Sequence, residues 1–332
     1  MESPPQHVDE FEAIARLFTP LTDGAPEALG LQDDAAVIAA RPGFDLVISK
    51  DAMVEGVHFL ADDPLDLVAR KLLRANLSDL AAKGADPWAY FLAAMWPARC
   101  VWAERERFVR GLRQDQDAFG LKLLGGDTSS TPGPLTLSVT ILGWTPQGRM
   151  VRRSGAAPGD RVLVSGSIGD GWLGLAAARG ELEGLGPQDV AWLADRYRLP
   201  QPRTGLIQLL REHATAAADV SDGLLADAGH IAQSSGVGMA LALDRLPLSR
   251  GATAWLTAQA DPAAAIASLA SGGDDYEVVC CARPEAARAL IEAAGQAGAP
   301  MTDIGEAVAG EGVQATWRGR TLDPPQTGWR HG

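Results

Sequence analysis

Several features that mark common protein classes are scarce or absent in this chain. Its three cysteines, Cys100, Cys280 and Cys281, form no CxxC pair and no even framework for disulfides. Cys280 and Cys281 lie in an apolar run and are expected to be inert core thiols. No apolar run approaches the ~20 residues that cross a membrane, and residues 1–12 lack the basic and apolar regions of a signal peptide. The expected location is the reducing cytoplasm.

The chain also lacks two common nucleotide-binding motifs. No GxxxxGK[ST] segment occurs, which excludes a P-loop. A predicted strand, Arg161–Ser165, precedes a glycine-rich turn, 166–171, and a predicted helix, Trp172–Ala178, an arrangement that can hold phosphate on backbone N–H groups. The turn has the spacing GxxGxG, so the dinucleotide fingerprint GxGxxG is not met. A tight turn without a ligand is an equally good interpretation.

What the chain does have is a normal apolar content and an excess of acid. It is 46% hydrophobic and 21% charged, and its 332 residues suffice for two domains or one large one. The net charge of −13 argues against nucleic acid as a partner. Proline and glycine cluster between Thr145 and Gly159. We therefore expect an N-terminal domain, 1–148, and a C-terminal domain, 149–332.

One helix carries polar residues where its pattern calls for apolar ones. Leu65, Val68 and Leu72 recur at helical spacing, and continuing that stripe reaches Asn76 and Asp79. Burying a lone carboxylate costs several kcal/mol of folding free energy unless a partner compensates its charge. Either Ser78 or Asp79 caps a short second helix, or Asp79 points into a polar site and binds a cation.

Acidic residues recur in short segments beside predicted strands. The segments are Asp33-Asp34, Ser49-Lys50-Asp51, Gly125-Gly126-Asp127-Thr128, Asp219-Val220-Ser221-Asp222-Gly223 and Gly272-Gly273-Asp274-Asp275. The strands beside them are predicted at Ala35–Ala39, Phe44–Ser49, Leu121–Leu124 and Tyr276–Cys280. Neighbouring strands lie only about 5 Å apart, so carboxylates at their ends converge easily. A hard, oxygen-rich site of this kind suits Mg²⁺ bridging carboxylates and phosphates.

With these residues in view, the sequence resembles the thiamine-monophosphate kinase family. That family belongs to the ATP-binding superfamily that also contains aminoimidazole ribonucleotide synthetase and selenophosphate synthetase. Eight segments, in the family's order and spacing, carry the resemblance: Asp33-Asp34-Ala35, Glu55–Phe59, Asn76–Ala82, Gly125–Thr128, Arg153–Ala156, Asp219–Leu224, Gly272–Glu277 and Gly328–His331.

The resemblance implies an activity and an architecture. Members of the family transfer the γ-phosphoryl group of ATP onto the phosphate of thiamine monophosphate, giving thiamine diphosphate. They are homodimers of two mixed-sheet α/β domains. Their N-terminal sheets pair across the dimer, and ATP lies between the domains. Mg²⁺, as several ions, is the implied cofactor, and a need for K⁺ stays open.

The resemblance also assigns roles to single positions, and it names no covalent nucleophile or base. Family metal ligands correspond to Asp34, Ser49, Lys50, Asp51, Asp79, Asp127, Asp219 and Asp222. ATP contacts correspond to Gly126, Asp127, Arg153 and Ser221. Substrate contacts correspond to His58, Asp274 and Trp329.

The chain departs from the family's pattern at two of these positions. Lys50 stands where the family usually has a metal-ligating threonine. Because an ammonium cannot bind Mg²⁺, either one ion is missing or Lys50 replaces its charge. Asp274 replaces a glutamate and reaches less far. Two other hypotheses remain: another ATP-dependent synthetase of the superfamily, or a non-catalytic nucleotide-binding relative.

Overall fold

The computed structural model describes residues 10–322, and these residues fall into two compact units. The first unit comprises 10–80 and 86–148, and the second comprises 81–85 and 149–322. Each unit contains one sheet. The chain therefore leaves the first unit for five residues, Ala81–Ala85, and returns to it before finally entering the second.

The first unit is a four-stranded sheet with two long helices. Its elements are α1 (Glu10–Ala13), β1 (Phe44–Val54), α2 (Leu65–Ala82), β2 (Asp86–Pro97), α3 (Trp102–Phe119), β3 (Lys122–Thr131) and β4 (Thr136–Pro146). The strand order is β1-β4-β2-β3. β4 is antiparallel to both of its neighbours, whereas β2 and β3 are parallel. The segment 14–31 consists of short helical turns between α1 and β1.

Helix α2 is the buried centre of the first unit. Val68 and Leu72, on the predicted stripe, are buried as expected, and so are Leu73 and Leu77 on other sides of the helix. A helix that is apolar on several sides is typical of a core position. The helix runs without interruption to Ala82, so the interpretation that Ser78 or Asp79 caps a second helix is wrong.

The second unit is a seven-stranded mixed sheet with helices on both faces. Its elements are β5 (Arg161–Ser165), α4 (Asp170–Ala178), α5 (Pro187–Arg198), α6 (Ile207–His213), β6 (Ala216–Val220), α7 (Leu224–Ser235), β7 (Gly238–Ala242), α8 (Arg250–Thr257), α9 (Pro262–Ser271), β8 (Glu277–Ala282), α10 (Pro284–Gln296), β9 (Met301–Val308), β10 (Gly312–Trp317) and β11 (Arg320–Thr321). The strand order is β11-β10-β7-β9-β5-β8-β6. Among the strand pairs within residues 149–322, β7 pairs with β10 in parallel and the others are antiparallel.

The second unit has two hydrophobic cores, one on each face of its sheet, because side chains alternate between the faces along each strand. Ala218 and Val220 of β6 pack with α7, whereas Ala217 packs on the opposite face with α6 and α10. Successive side chains of a strand point to opposite faces, which accounts for the division. The predicted class, α/β with mixed sheets, is confirmed.

Three predicted strand boundaries need correction. Residues 35–39 form no strand, and the N–H of Val37 bonds instead to the carbonyl of Glu27. β1 continues to Val54 and β3 to Thr131. Asp51 and Asp127 are therefore inside strands and not beyond their ends. Within residues 10–322, no helix combines the length and the apolar character that crossing a membrane requires.

Candidate active site

Strand β1 and helix α2 bring together three of the predicted metal-binding residues in the first unit. The hydroxyl of Ser49 donates a hydrogen bond of 2.6 Å to Oδ2 of Asp79. Asp51 follows Ser49 by two residues on β1 and shares its face of the sheet. Hydroxyl and carboxylate oxygens are the donors that Mg²⁺ accepts. The sequence places them together because the helical stripe of α2 turns polar where it meets this strand.

Lys50 lies on the other face of β1. Its ammonium donates a 2.9 Å hydrogen bond to the hydroxyl of Ser138 on β4. A residue between Ser49 and Asp51 must point away from both, because side chains alternate along a strand. The structure therefore does not bring Lys50 into the group formed by Ser49, Asp51 and Asp79.

A groove of about 820 Å³ beside the edge strand β3 collects three more of the predicted residues. Asp34 lies on one side, and Gly126 and Asp127 of β3 lie on the other. Phe18 contributes an apolar wall. A Cβ on Gly126 would lie 1.8 Å from the carbonyl oxygen of Leu92, so only glycine permits β2 and β3 to approach here. The groove combines exposed carboxylates with an apolar wall, which suits a nucleotide bound through a cation.

His58 lies in a turn just after β1. Its Nδ1 accepts a 3.0 Å hydrogen bond from the N–H of Val54. The neutral ring therefore carries its proton on Nε2, which makes Nε2 a donor. The carbonyl of His58 accepts a 3.0 Å hydrogen bond from the ammonium of Lys71, a buried lysine of α2. The ring and the backbone of His58 are thus both fixed in place.

In the second unit, the end of β6 and the start of β8 bring together Ser221, Asp222 and Asp274. β6 and β8 are antiparallel neighbours, so the loop after one lies beside the loop before the other. The N–H of Asp274 donates a 2.9 Å hydrogen bond to the carbonyl of Ser221. Asp274 has φ +69°, a left-handed conformation that is uncommon outside glycine.

The sequence reasoning missed Asp227 and His230, which adjoin this loop. Ligand atoms of Asp222, Asp227 and His230 all lie within 4.8 Å of one another. Burial, and next the charge of Asp222, raise the pKa of Asp227 to about 7, although backbone hydrogen bonds and the guanidinium of Arg153 oppose the shift. The spacing Asp227-x-x-His230 is the signal that could have found them, because residues three apart lie on one face of a helix.

Two other predicted residues of the second unit take separate positions. Asp219 is buried within β6 and shares a face with Ala217, opposite the face that packs on α7. The structure therefore does not group Asp219 with Asp227. Arg153 is exposed, and its carbonyl accepts a 3.3 Å hydrogen bond from the hydroxyl of Ser235 at the end of α7.

The glycine-rich turn after β5 is occupied by a carboxylate of the protein itself. The N–H groups of Gly169 and Gly171 donate hydrogen bonds of 2.7 and 2.8 Å to the two oxygens of Asp275. Asp275 is fully buried, and burial raises its pKa well above the usual range. Because these N–H groups already have an acceptor, the interpretation of the turn without a ligand is favoured over a phosphate site.

Two further predictions concern single side chains. Trp329 lies outside the described residues. Cys280 and Cys281 are free and fully buried in β8. Burial raises the pKa of the Cys281 thiol to about 12, and a thiol that stays protonated is a poor nucleophile. Their structural setting agrees with inert core thiols.

Comparisons with known proteins cover both units. The chain matches the family models of AIR synthase related protein, N-terminal domain, over residues 32–145 and C-terminal domain over residues 157–318. It is 58% identical over 323 residues to the thiamine-monophosphate kinase of Caulobacter vibrioides. The aligned region covers 97% of this chain and 91% of that protein.

Solved structures give the same relationship. The thiamine-monophosphate kinase from Stenotrophomonas maltophilia K279a matches with a TM-score of 0.82 at 36% identity, covering 95% of this chain and 98% of that one. The protein AaThiL, complexed with AMPPCP and TMP, matches with a TM-score of 0.76 at 29% identity. That match covers 98% of this chain and 99% of AaThiL.

Proposed function

Because this chain belongs to the thiamine-monophosphate kinase family, we propose that it transfers the γ-phosphoryl group of ATP to the phosphate of thiamine monophosphate. The products are thiamine diphosphate and ADP. The observation that carries the proposal is the 58% identity, over nearly the full length of both chains, to a kinase of that name. The acidic groups of the first unit support it, because they supply the hard oxygens that a phosphoryl-transfer enzyme uses to hold Mg²⁺.

The residues of the first unit fit Mg²⁺ by their chemistry. The hydrogen-bonded pair of Ser49 and Asp79, with Asp51 on the same face, offers oxygen donors and neither thiolate nor amine. We propose the following oxygen-bearing residues as holders of several Mg²⁺ ions: Asp34, Ser49, Asp51, Asp79, Asp127, Asp219 and Asp222. Lys50 is left out, because its ammonium bonds to Ser138 on the other face. Bound Mg²⁺ would supply charge neutralisation between the two phosphate groups.

The contacts to the two substrates follow the predicted assignments. For ATP we propose Gly126, Asp127, Arg153 and Ser221. For thiamine monophosphate we propose His58, whose Nε2–H is a donor suited to a phosphate oxygen. Asp274 and Trp329 are proposed as further substrate contacts.

The chemistry needs positioning more than proton transfer. A phosphate oxygen of thiamine monophosphate forms a bond to the γ-phosphorus as the bond to the β–γ bridging oxygen breaks, and ADP leaves. The attacking oxygen is already anionic, so no strong base is required. Two unit charges about 4 Å apart repel by ~4 kcal/mol at an effective dielectric near 20. The guanidinium of Arg153 is positioned by this proposal to offset part of that repulsion, and cations held by the acidic residues would offset more of it.

Three broader features are part of the same proposal. The protein works as a homodimer whose N-terminal sheets pair, as the family resemblance implies. A cytoplasmic location is proposed, because the three cysteines form no even framework for disulfides. K⁺ is proposed as an accessory cation, and omitting it from the assay tests that point.

The experiment measures ADP release from ATP and Mg²⁺ with and without thiamine monophosphate. ADP is expected only when thiamine monophosphate is present. Asp79→Asn and Asp222→Asn are each expected to lower kcat/KM by about 100-fold or more, because each removes a charged ligand. Asp117→Asn, a change at an exposed aspartate of α3, is the matched control and should leave turnover unchanged.

Two results would contradict the proposal. Release of ADP with a different acceptor, and none with thiamine monophosphate, would indicate another synthetase of the superfamily. Nucleotide binding without any turnover would indicate a non-catalytic relative.

A further inference from the structure

Asp227 is a buried carboxylate directly beneath the loop between β6 and α7. Its Oδ2 accepts hydrogen bonds from the N–H of Ser221, at 3.1 Å, and from the N–H of Asp222, at 3.2 Å. Its exposed fraction is 1%. The ladder between β6 and β8 ends at Val220, so neither N–H has a strand partner. Asp227 supplies the acceptor that the sheet does not.

The same loop is held from its other side. The carbonyl of Ser221 accepts the N–H of Asp274 at 2.9 Å. Gly223 has φ +117°, and a Cβ there would lie 2.4 Å from the carbonyl oxygen of Ser271. The backbone from Ser221 to Gly223 is therefore fixed at its N–H groups by Asp227 and at its carbonyl by Asp274.

Fixing this backbone fixes the direction of two side chains that the proposed reaction uses. Removing the acceptor would leave two partly buried N–H groups without it, and the loop would have to move to bring them to water. We infer that Asp227 is a positioning residue for phosphoryl transfer, which holds Ser221 and Asp222 in the orientation that binds ATP and its metal. The inference rests on the proposed function, since it takes the roles of Ser221 and Asp222 from it.

The test compares Asp227→Asn and Asp227→Ala with a matched control. Asparagine retains an oxygen that can accept both N–H groups, whereas alanine removes it. Asp160→Ala is the control for Asp227→Ala, because Asp160 is also a buried carboxylate of the second unit that accepts a backbone N–H, from Ala157 at 3.0 Å. For each protein, we would measure kcat, KM for ATP, the thermal midpoint, and the affinity for AMPPCP with Mg²⁺ by calorimetry.

The expected result separates positioning from stability. Asp227→Ala should raise both KM for ATP and the Kd for AMPPCP by about tenfold or more, because two hydrogen bonds to a buried acceptor are lost. Asp227→Asn should recover most of that loss. Asp160→Ala should lower the thermal midpoint and leave KM for ATP unchanged.

Other outcomes would overturn the inference. Asp227→Ala with unchanged KM and Kd, even at a lower thermal midpoint, would make Asp227 a structural residue only. Asp227→Asn that performs no better than Asp227→Ala would show that the acceptor oxygen is not what matters. Failure of the wild-type protein to release ADP would refute the proposed function alone, since calorimetry reads the role of Asp227 without turnover. A wild-type protein that does not bind AMPPCP would refute both.

Discussion

Two buried aspartates of the second unit accept hydrogen bonds from backbone N–H groups of nearby loops. Asp227 accepts the N–H groups of Ser221 and Asp222, and Asp275 accepts those of Gly169 and Gly171. Burial raises the pKa of both carboxyl groups. An acidic residue next to a glycine-rich loop can therefore be the loop's own anchor, and its charge is then unavailable to a ligand.

The raised pKa of Asp227 predicts how stability changes with pH. The carboxyl group ionises near pH 4 in an unfolded chain and near pH 7 in the folded protein. Between those values the folded state holds the proton more tightly. The stabilisation is fully present below about pH 4 and is lost as pH rises through about 7. Between pH 5 and 8, the free energy of unfolding should fall by about 2 to 3 kcal/mol relative to Asp227→Asn.

Urea unfolding in the presence of EDTA checks this prediction, because the chelator removes cations that would bind beside Asp222. Asp261→Asn is the control, since Asp261 is an exposed cap of α9 that also accepts two N–H groups. Curves for the wild type and Asp227→Asn that run parallel across this pH range would contradict the assigned pKa.

At the scale of elements, the helices and the central strands follow from the sequence, and the strand ends do not. The limits of β5 agree with the predicted range, and α4 begins two residues before its predicted start at Trp172 and ends at Ala178 as predicted. The pattern of β1 and β3 stops being apolar at Lys50 and Gly125, yet both strands continue because β4 and β2 supply ladder partners. Hydrogen bonding to a neighbour, which a single segment does not reveal, overrides local polarity there.

The two long helices of the first unit are joined by a buried acid. Asp115 of α3 is fully buried and accepts hydrogen bonds from Nε of Arg70, at 2.9 Å, and Nε of Arg74, at 2.7 Å, both on α2. Removing one partner of a buried ion pair leaves uncompensated charge. Asp115→Asn should lower the free energy of unfolding by about 2 to 4 kcal/mol.

A second ion pair between the same helices provides the comparison. Asp66 of α2 and Arg107 of α3 are 2.7 Å apart but well exposed to water, at 30% and 41% of their side chains. Solvent screening makes such pairs weak, so Asp66→Asn should cost less than about 1 kcal/mol. Equal costs for the two variants in chemical denaturation would refute the view that burial decides the difference.

At the scale of the whole molecule, the structure places the predicted site residues in separate groups, and the sequence did not indicate that grouping. Ser49, Asp51 and Asp79 share one side of β1, and Asp34 joins Gly126 and Asp127 at the groove. Lys50 is excluded by strand alternation, which the prediction did not apply to it. Asp227 was missed because its role depends on the fold of a loop five residues earlier.

Because Ala81–Ala85 belong to the second unit, a substitution there should destabilise that unit, although the rest of the unit begins at residue 149. Ala82 is buried in the core that contains Leu210 and Leu290. Ala82→Asp would bury a lone carboxylate there and lower the free energy of unfolding by several kcal/mol. Hydrogen exchange should then accelerate in β6, although residue 82 precedes residue 149. Ala40→Asp, at an exposed position, should leave that exchange unchanged.

Residues 81–85 also determine which chimaeras of two related proteins keep the second unit from a single parent. A crossover at residue 149 passes on the seven-stranded sheet but leaves behind the segment that contains Ala82 and Lys83, whose ammonium donates a 2.6 Å hydrogen bond to the carbonyl of Ala217 in β6. Chimaeras of that kind join a sheet from one parent to a covering segment from the other. The second unit is thus inherited intact only when residues 81–85 travel with it, so these two separated stretches should change together as the family diverges.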